Sequence, residues 1–468
     1  MIKKLKDICK FLSGYNWKSS KFSDEGIPII RIGNLNTTHS NFKYWNDSYD
    51  KKYIIKHGDI LVSLSGTIKV AKWIGKNALL NQRIVKITAK ENINVDWVFY
   101  QIKYAIEQIE AKAKQATIKN VSINDLKKIE VEVPDLETQN KIVAVLDKAS
   151  NLIEKRKGSI ELLDDLIETQ YFKIFGEPYE NTKKWKTKPL NDIVKNIKTG
   201  WSIGGERRLK QDDEYGVLMV SAVTTGEFKP NEYKAIPKEK ITRDIITVQK
   251  GDLLFSRANT LKYVAATCIV EEDYPKLFLP DKLWKIIVDK KQITPEYLKL
   301  TLSSVTFNEN LSRSATGSSS SMLNISKRKL KETIIPVPPL EKQKELSTIY
   351  WKIRGMKSKK RKSLEYIETL FNSILQRAFN GQLNFDHNLE LNSLLNKIDL
   401  EAKENDLSSI KNDDTYFQLL IDRLNNQKFE TIDLYNKAKY AVFELLKTKE
   451  GIEQVYDTTS KKIKLASK

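Results

Sequence analysis

The chain repeats itself, and a repeat this long limits it to two copies of one fold. Leu5-Lys6-Asp7-Ile8 returns as Leu190-Asn191-Asp192-Ile193, 185 residues later. Gly26-Ile27-Pro28-Ile29-Ile30 returns as Gly216-Val217-Leu218-Met219-Val220, 190 later, and Gly58-Asp59-Ile60-Leu61-Val62-Ser63 as Gly251-Asp252-Leu253-Leu254-Phe255-Ser256, 193 later. Gln82-Arg83-Ile84-Val85-Lys86-Ile87 matches Asp281-Lys282-Leu283-Trp284-Lys285-Ile286 at 199. Val133-Pro134-Asp135-Leu136-Glu137-Thr138-Gln139 matches Val337-Pro338-Pro339-Leu340-Glu341-Lys342-Gln343 at 204. The order is kept while the offset only grows. Insertions in the second copy's surface loops produce that pattern, since loops tolerate insertion and core strands do not.

Each copy has the same plan. Short β-branched runs at 27–32, 60–64 and 84–88 alternate with turn signals, and a helical stretch follows around Trp97 to Ala113; together they predict a mixed, β-rich globule. Pro134, and Pro336 with Pro338-Pro339, close the globules, because proline ends regular structure. A long helix is predicted after each. Its seam in the first copy is Ile142, Ala149, Arg156, Leu163 and Gln170, and in the second Leu346, Ile353, Lys360, Ile367 and Ile374. Apolar residues lie between these, giving the 3.5-residue repeat of a coiled coil. Each helix would span about 55 Å at 1.5 Å per residue. Two arrangements fit: each helix lies on its own globule, or the two pair. Four heptads exceed what one small globule covers, which favours pairing. In an antiparallel pair Arg156 and Lys360 would lie together near the midpoints, where two cations need an acidic or solvent-exposed partner.

The 468 residues carry 80 Lys and Arg against 60 Asp and Glu, a net charge of +20. By segment the balance is +8 over 1–137, 0 over 138–176, +7 over 177–341, +7 over 342–381 and −2 over 382–468. An acidic tail rules out a uniform basic coat and points to a polyanion partner for the globules. Basic residues interleave with small polar ones at 65–69, 112–120 and 313–321, a composition that lets backbone and cations approach phosphates and base edges. Solvated surface loops have the same composition. The run Lys357-Ser358-Lys359-Lys360-Arg361-Lys362 reads as a solvated helix face or as a track along phosphates. Two cysteines, Cys9 and Cys268, make no disulfide framework, and three histidines make no multi-His metal site. No apolar run reaches the ~20 residues of a membrane span, and the N-terminus lacks the marks of a signal peptide, so a reduced, cytoplasmic protein is expected.

No catalytic pattern holds. A Walker-type phosphate loop, GxGxxG after a strand and the Asn/Asp-Pro-Pro-Tyr/Phe motif of amino-methyltransferases are all missing. Pro280-Asp281 followed by Asp289-Lys290-Lys291 faintly echoes a nuclease Pro-Asp…Asp-x-Lys pattern, but its spacing is short and the repeat gives Asp281 a structural counterpart in Gln82. His57 precedes one Gly-Asp turn, yet its counterpart is Lys250, so it carries no shared catalytic role.

Ile335-Pro336-Val337-Pro338-Pro339-Leu340-Glu341-Lys342-Gln343, its weaker copy at 131–139, the Gly-Asp turns at Gly58 and Gly251, and Asn324-Ile325-Ser326 with Asn120-Val121-Ser122 occur twice and in order over residues 1 to about 381. In these features the chain resembles the specificity (S) subunit of type I restriction-modification enzymes. The resemblance implies an α+β architecture. Two tandem mixed, β-rich target recognition domains (1–137 and 177–341) are separated by two long helices (138–176 and 342–381) pairing as an antiparallel coiled coil. An extension at 382–468, net acidic, continues beyond the simplest members; it is expected to be mainly helical, with a short hairpin near 454–465, and to bind protein. Each globule is expected to read one half of a split double-stranded DNA target, while the helices set the spacing and dock the modification subunits. Lys69, Lys72, Arg83, Lys114 and Lys119 in the first globule, and Arg257, Lys262, Arg313, Ser318 and Lys327 in the second, are the residues expected at DNA. The chain itself is expected to hold no metal or cofactor. S-adenosylmethionine, ATP and Mg are implied for its partners: two modification subunits and, where present, two restriction subunits. A self-contained nuclease or methyltransferase, and a coiled-coil protein scaffold, are the competing readings.

Overall fold

The computed structural model describes residues 2–35, 42–64, 68–116, 122–316, 323–380, 382, 425, 452–457 and 462–467. The chain divides into two compact units, residues 1–160 with 359–468, and residues 161–358.

In the first unit the strands Cys9–Ser13, Ile84–Ala89, Ile60–Ser63 and Val70–Lys72 form one antiparallel sheet in that order. A second sheet orders Lys43–Trp45, Ile27–Ile30, Ala78–Leu80 and Ile54–Ile55, with a parallel pairing at its centre. Ile2–Lys4 pairs with Glu130–Glu132 where the globule closes. The second unit has the same three sheets. Val194–Thr199, Leu283–Val288, Leu253–Ser256 and Thr267–Ile269 form the first. Tyr233–Ile236, Tyr215–Leu218, Tyr274–Phe278 and Thr247–Val248 form the second, again with the central pair parallel. Thr187–Pro189 pairs with Ile334–Pro336. The sequence repeat is therefore a repeat of strand order and sense.

The conserved order rests on two small devices present in both units. Gly58 and Gly251 have φ of +89° and +84°, a left-handed turn that glycine adopts without the Cβ penalty. The aspartate after each closes the turn, accepting from Lys56 N and Gln249 N, and pairs across the sheet with Lys86 and Lys285, both at 2.6 Å. The second device is the repeated glutamine. Gln139 is buried, accepts from Asn94 N at 2.9 Å and donates to Pro134 O at 2.9 Å. Gln343 accepts from Thr294 N at 2.9 Å and donates to Pro338 O at 2.8 Å. Asn94 and Thr294 cap the globular helices Val95–Ala116 and Pro295–Ser303. Each glutamine thus ties the start of a long helix to the start of a globular one.

The long helices run Leu136–Phe175 and Leu340–Phe379. In the first unit Ile142, Leu146, Ala149 and Ile153 share one core with Ile367, Phe371, Ile374 and Leu375, and with Trp97, Tyr100, Ile102 and Ile106 of the globule. The first helix's beginning meets the second helix's end, so the pairing is antiparallel, and Lys157 and Glu368 bridge it at 3.1 Å. In the second unit Lys357 reaches Asp164 across the pair, and Tyr171 and Phe175 pack on Tyr297 of the globule. The two sequence-based alternatives are both realised: each helix half pairs with the other helix and also lies on a globule. All ten seam residues, Ile142, Ala149, Arg156, Leu163, Gln170, Leu346, Ile353, Lys360, Ile367 and Ile374, are buried.

Ile452–Asp457 pairs antiparallel with Lys462–Ser467 as the expected hairpin. The helical runs expected at 391–400 and 440–446 lie outside the described residues. Among the described residues no helix is long and apolar enough to cross a membrane. Cys9 and Cys268 are buried, and burial pushes the Cys9 thiol up to about 12.

Candidate nucleic-acid interface

Four of the cations expected at DNA, Lys69 and Arg83 in the first unit and Arg257 and Lys327 in the second, lie where a central strand leaves its sheet. In the second unit Ser256 is the last residue paired with the strand Leu283–Val288. Arg257 follows, its N–H on Lys282 O at 3.1 Å and its carbonyl accepting from Ile325 N at 2.8 Å. Its backbone is therefore fixed from both sides. Nε donates to Asp281 O at 2.9 Å, Nη2 lies 3.7 Å from Asp281 Oδ2, and the guanidinium sits 5.8 Å from the Trp284 ring centre. Ser202 donates to the same carboxylate. Trp284 is buried and stacked on Phe255.

Lys327 reaches this place from the short helix Lys327–Glu332, whose cap is Ser326. Its Nζ donates to Ile197 O at 2.9 Å and lies 5.9 Å from the Trp284 ring centre. Burial first, then Lys331 and Arg257, hold its pKa below the usual lysine range. Two cations on one buried indole suit an anion.

At the corresponding strand end of the first unit, Leu64 N donates to Arg83 O at 3.0 Å, and Ser63 is bonded to Lys69 through both backbone and hydroxyl. Lys69 and Arg83 therefore flank one strand end, and Arg83 is exposed. Lys72 is differently engaged: it pairs with Asp96 at 2.8 Å and lies 4.9 Å from the Phe99 ring centre, fastening a strand to the globular helix. Lys262 is exposed beside Tyr263, and Arg313 is exposed with Glu309 at 3.3 Å. Lys114 lies in a helix that runs to Ala116, three residues beyond the expected end, because the Ala-, Lys- and Gln-rich stretch has strong helix propensity. Lys119 and Ser318 lie outside the described residues. The run 357–362 is not a uniformly solvated face, since Lys357 and Lys360 are buried. Lys357 is held by Asp164 and Glu227.

Trp284 is the site residue that sequence reasoning passed over. The signal was in the repeat, where Val85 stands opposite Trp284 and Leu64 opposite Arg257. The faint nuclease pattern does not assemble. Asp281 and Asp289 stand beyond opposite ends of the six-residue strand Leu283–Val288, which is itself about 20 Å long at 3.3 Å per residue. Asp289 instead closes a turn with Lys291 N and Gln292.

The family model described as the type I restriction modification DNA specificity domain matches residues 1–163 and again 182–365. The chain belongs to this family. The two matches follow the two copies of the internal repeat, each spanning one globule and the first part of the long helix after it. Among curated relatives, the type I restriction enzyme EcoBI specificity subunit of Escherichia coli is 24% identical over 412 residues, covering 80% of this chain and 84% of the relative. The EcoKI specificity subunit of Escherichia coli strain K12 is 24% identical, covering 80% and 87%. The MjaVIII specificity subunit of Methanocaldococcus jannaschii is 23% identical, covering 71% and 81%. Among solved structures, the S subunit of a type I restriction-modification system from M. genitalium aligns with a TM-score of 0.49 at 16% identity, covering 81% of this chain and 96% of that one.

Proposed function

We propose that this chain is the DNA-recognition subunit of a type I restriction-modification complex, working in the cytoplasm and without catalysis of its own. Each globule reads one half of a bipartite double-stranded DNA target. The long helices set the spacing between half-sites and dock two modification subunits, which carry S-adenosylmethionine. Restriction subunits with ATP and Mg complete the restricting form. One observation carries this reading: a single DNA-specificity fold occurs twice, and the two copies diverge in the loops between their common strands. Two different half-sites follow, because the scaffold is common and the reading surface is not.

Genome-wide mapping of methylated adenine with and without the expressed gene tests the proposal. Loss of one split motif is expected, and an unchanged pattern would overturn it. Replacing residues 1–137 with the corresponding globule of a relative should change one half of that motif and leave the other intact.

A further inference from the structure

The duplicated fold supplies its own control for the Arg257 site. Ser63 pairs with Ile84 in the first unit as Ser256 pairs with Leu283 in the second. That register sets Leu64 against Arg257 and Val85 against Trp284. The serine caps Ser122 and Ser326 set Ile123 against Lys327. In the first unit Leu64, Val85 and Ile123 belong to one hydrophobic core. An apolar trio therefore satisfies the fold at this place, and the fold does not require the cations of the second unit.

Arg257 and Lys331 both repel the Lys327 ammonium. Arg257 and Lys327 lie within 6 Å of one ring centre, and Lys331 adds a third positive charge near Lys327. Among the described residues one carboxylate stands against them, Asp281, 3.7 Å from Arg257 and shared with Ser202. Like charges assembled on a preformed platform need an anion to offset them. A neutral base edge does not offset two charges, whereas a phosphate does.

We propose that Arg257 and Lys327, seated on Trp284, form a clamp for one backbone phosphate of the half-site read by the second unit, and that the matching Leu64, Val85 and Ile123 of the first unit form none. The clamp rests on the DNA-reading function proposed above. It anchors the second unit to its half-site without reading sequence.

The test uses the full chain assembled with its modification subunits and a duplex carrying the mapped motif. Transplanting the first unit's trio, Arg257→Leu with Trp284→Val and Lys327→Ile, removes the clamp and keeps a packing the fold already uses. The slope of log K against log salt should become shallower by about 1, the contribution of one phosphate, with the methylated motif unchanged. Lys327→Gln alone, which leaves the platform and Arg257 in place, should reduce the slope by only part of that amount. An unchanged slope in both variants overturns the clamp. A changed second half-site overturns it in favour of base reading by Arg257. Absence of salt-dependent binding by the unaltered complex overturns the DNA-reading function together with the clamp.

Discussion

Arg208 grips the Glu214 carboxylate through two hydrogen bonds of 2.6 and 2.7 Å, and Gln211 N adds a third at 2.8 Å. These bonds, the Arg208 pair foremost, hold the carboxyl down at about 2, below its ordinary 4.5. A folded-state pKa below the unfolded one stabilises the fold above the unfolded value, and the contribution disappears as pH falls through the folded value. Acid unfolding of the second unit followed by circular dichroism should therefore include a component between about pH 4.5 and 2, and Glu214→Gln should remove it. Gln343 gives a prediction at neutral pH. Gln343→Ala strands Thr294 N–H and Pro338 O inside the fold, at a cost of about 1–3 kcal/mol, measurable as a lowered denaturation midpoint. The Pro-Leu-Glu-x-Gln motif was legible from its recurrence, but the glutamine's task was not, because its partner at Thr294 lies 49 residues away. Arg257 and Lys327 were legible as cations among small polar residues. Their meeting on Trp284 depends on strand pairing that local composition does not encode.

Among elements, the long helices were the most legible, since a 3.5-residue apolar repeat survives any change of surroundings. What the repeat conceals is the second apolar face that each helix half turns to a globule. It also conceals the buried charges. Arg354 bonds Glu271 at 2.7 Å and Glu227 at 2.6 Å, and Lys357 joins Glu227 to Asp164. The matching residues of the first copy, Ser150 and Ile153, carry no charge. In the second unit buried ions join the apolar packing between long helix and globule, whereas at the matching positions of the first the packing is apolar, with Tyr100 bonded to Asp147. Arg354→Ala leaves Glu227 and Glu271 without their guanidinium. It should destabilise the second unit by about 3–5 kcal/mol, at the lower end because Glu271 retains partial exposure. Calorimetry of the full chain should show that unit's transition moving down. Ile153→Ala in the first unit removes apolar packing instead, at about 2–5 kcal/mol, and its effect should be insensitive to salt.

For the whole molecule, the +20 resolves into +22 on residues 1–381 and −2 on the rest. A net acidic segment adds nothing to phosphate neutralisation. Deleting 382–468 should therefore leave the salt slope and the methylated motif unchanged while weakening assembly with partner subunits, as size-exclusion chromatography would report. Unaltered assembly would show that the extension is no assembly element. The division into units also orders synthesis. The first unit closes its core with Ile367, Phe371, Ile374 and Leu375, more than 200 residues beyond the globule they cover, whereas the second is a single continuous stretch, 161–358. At the usual 5–20 residues per second of translation, the globule made first waits on the order of ten seconds or more with Tyr100, Ile102 and Ile106 lacking those partners. The later half of the protein is the one that can finish folding first, and a ribosome stalled beyond residue 358 would carry a completed second unit behind an unfinished first.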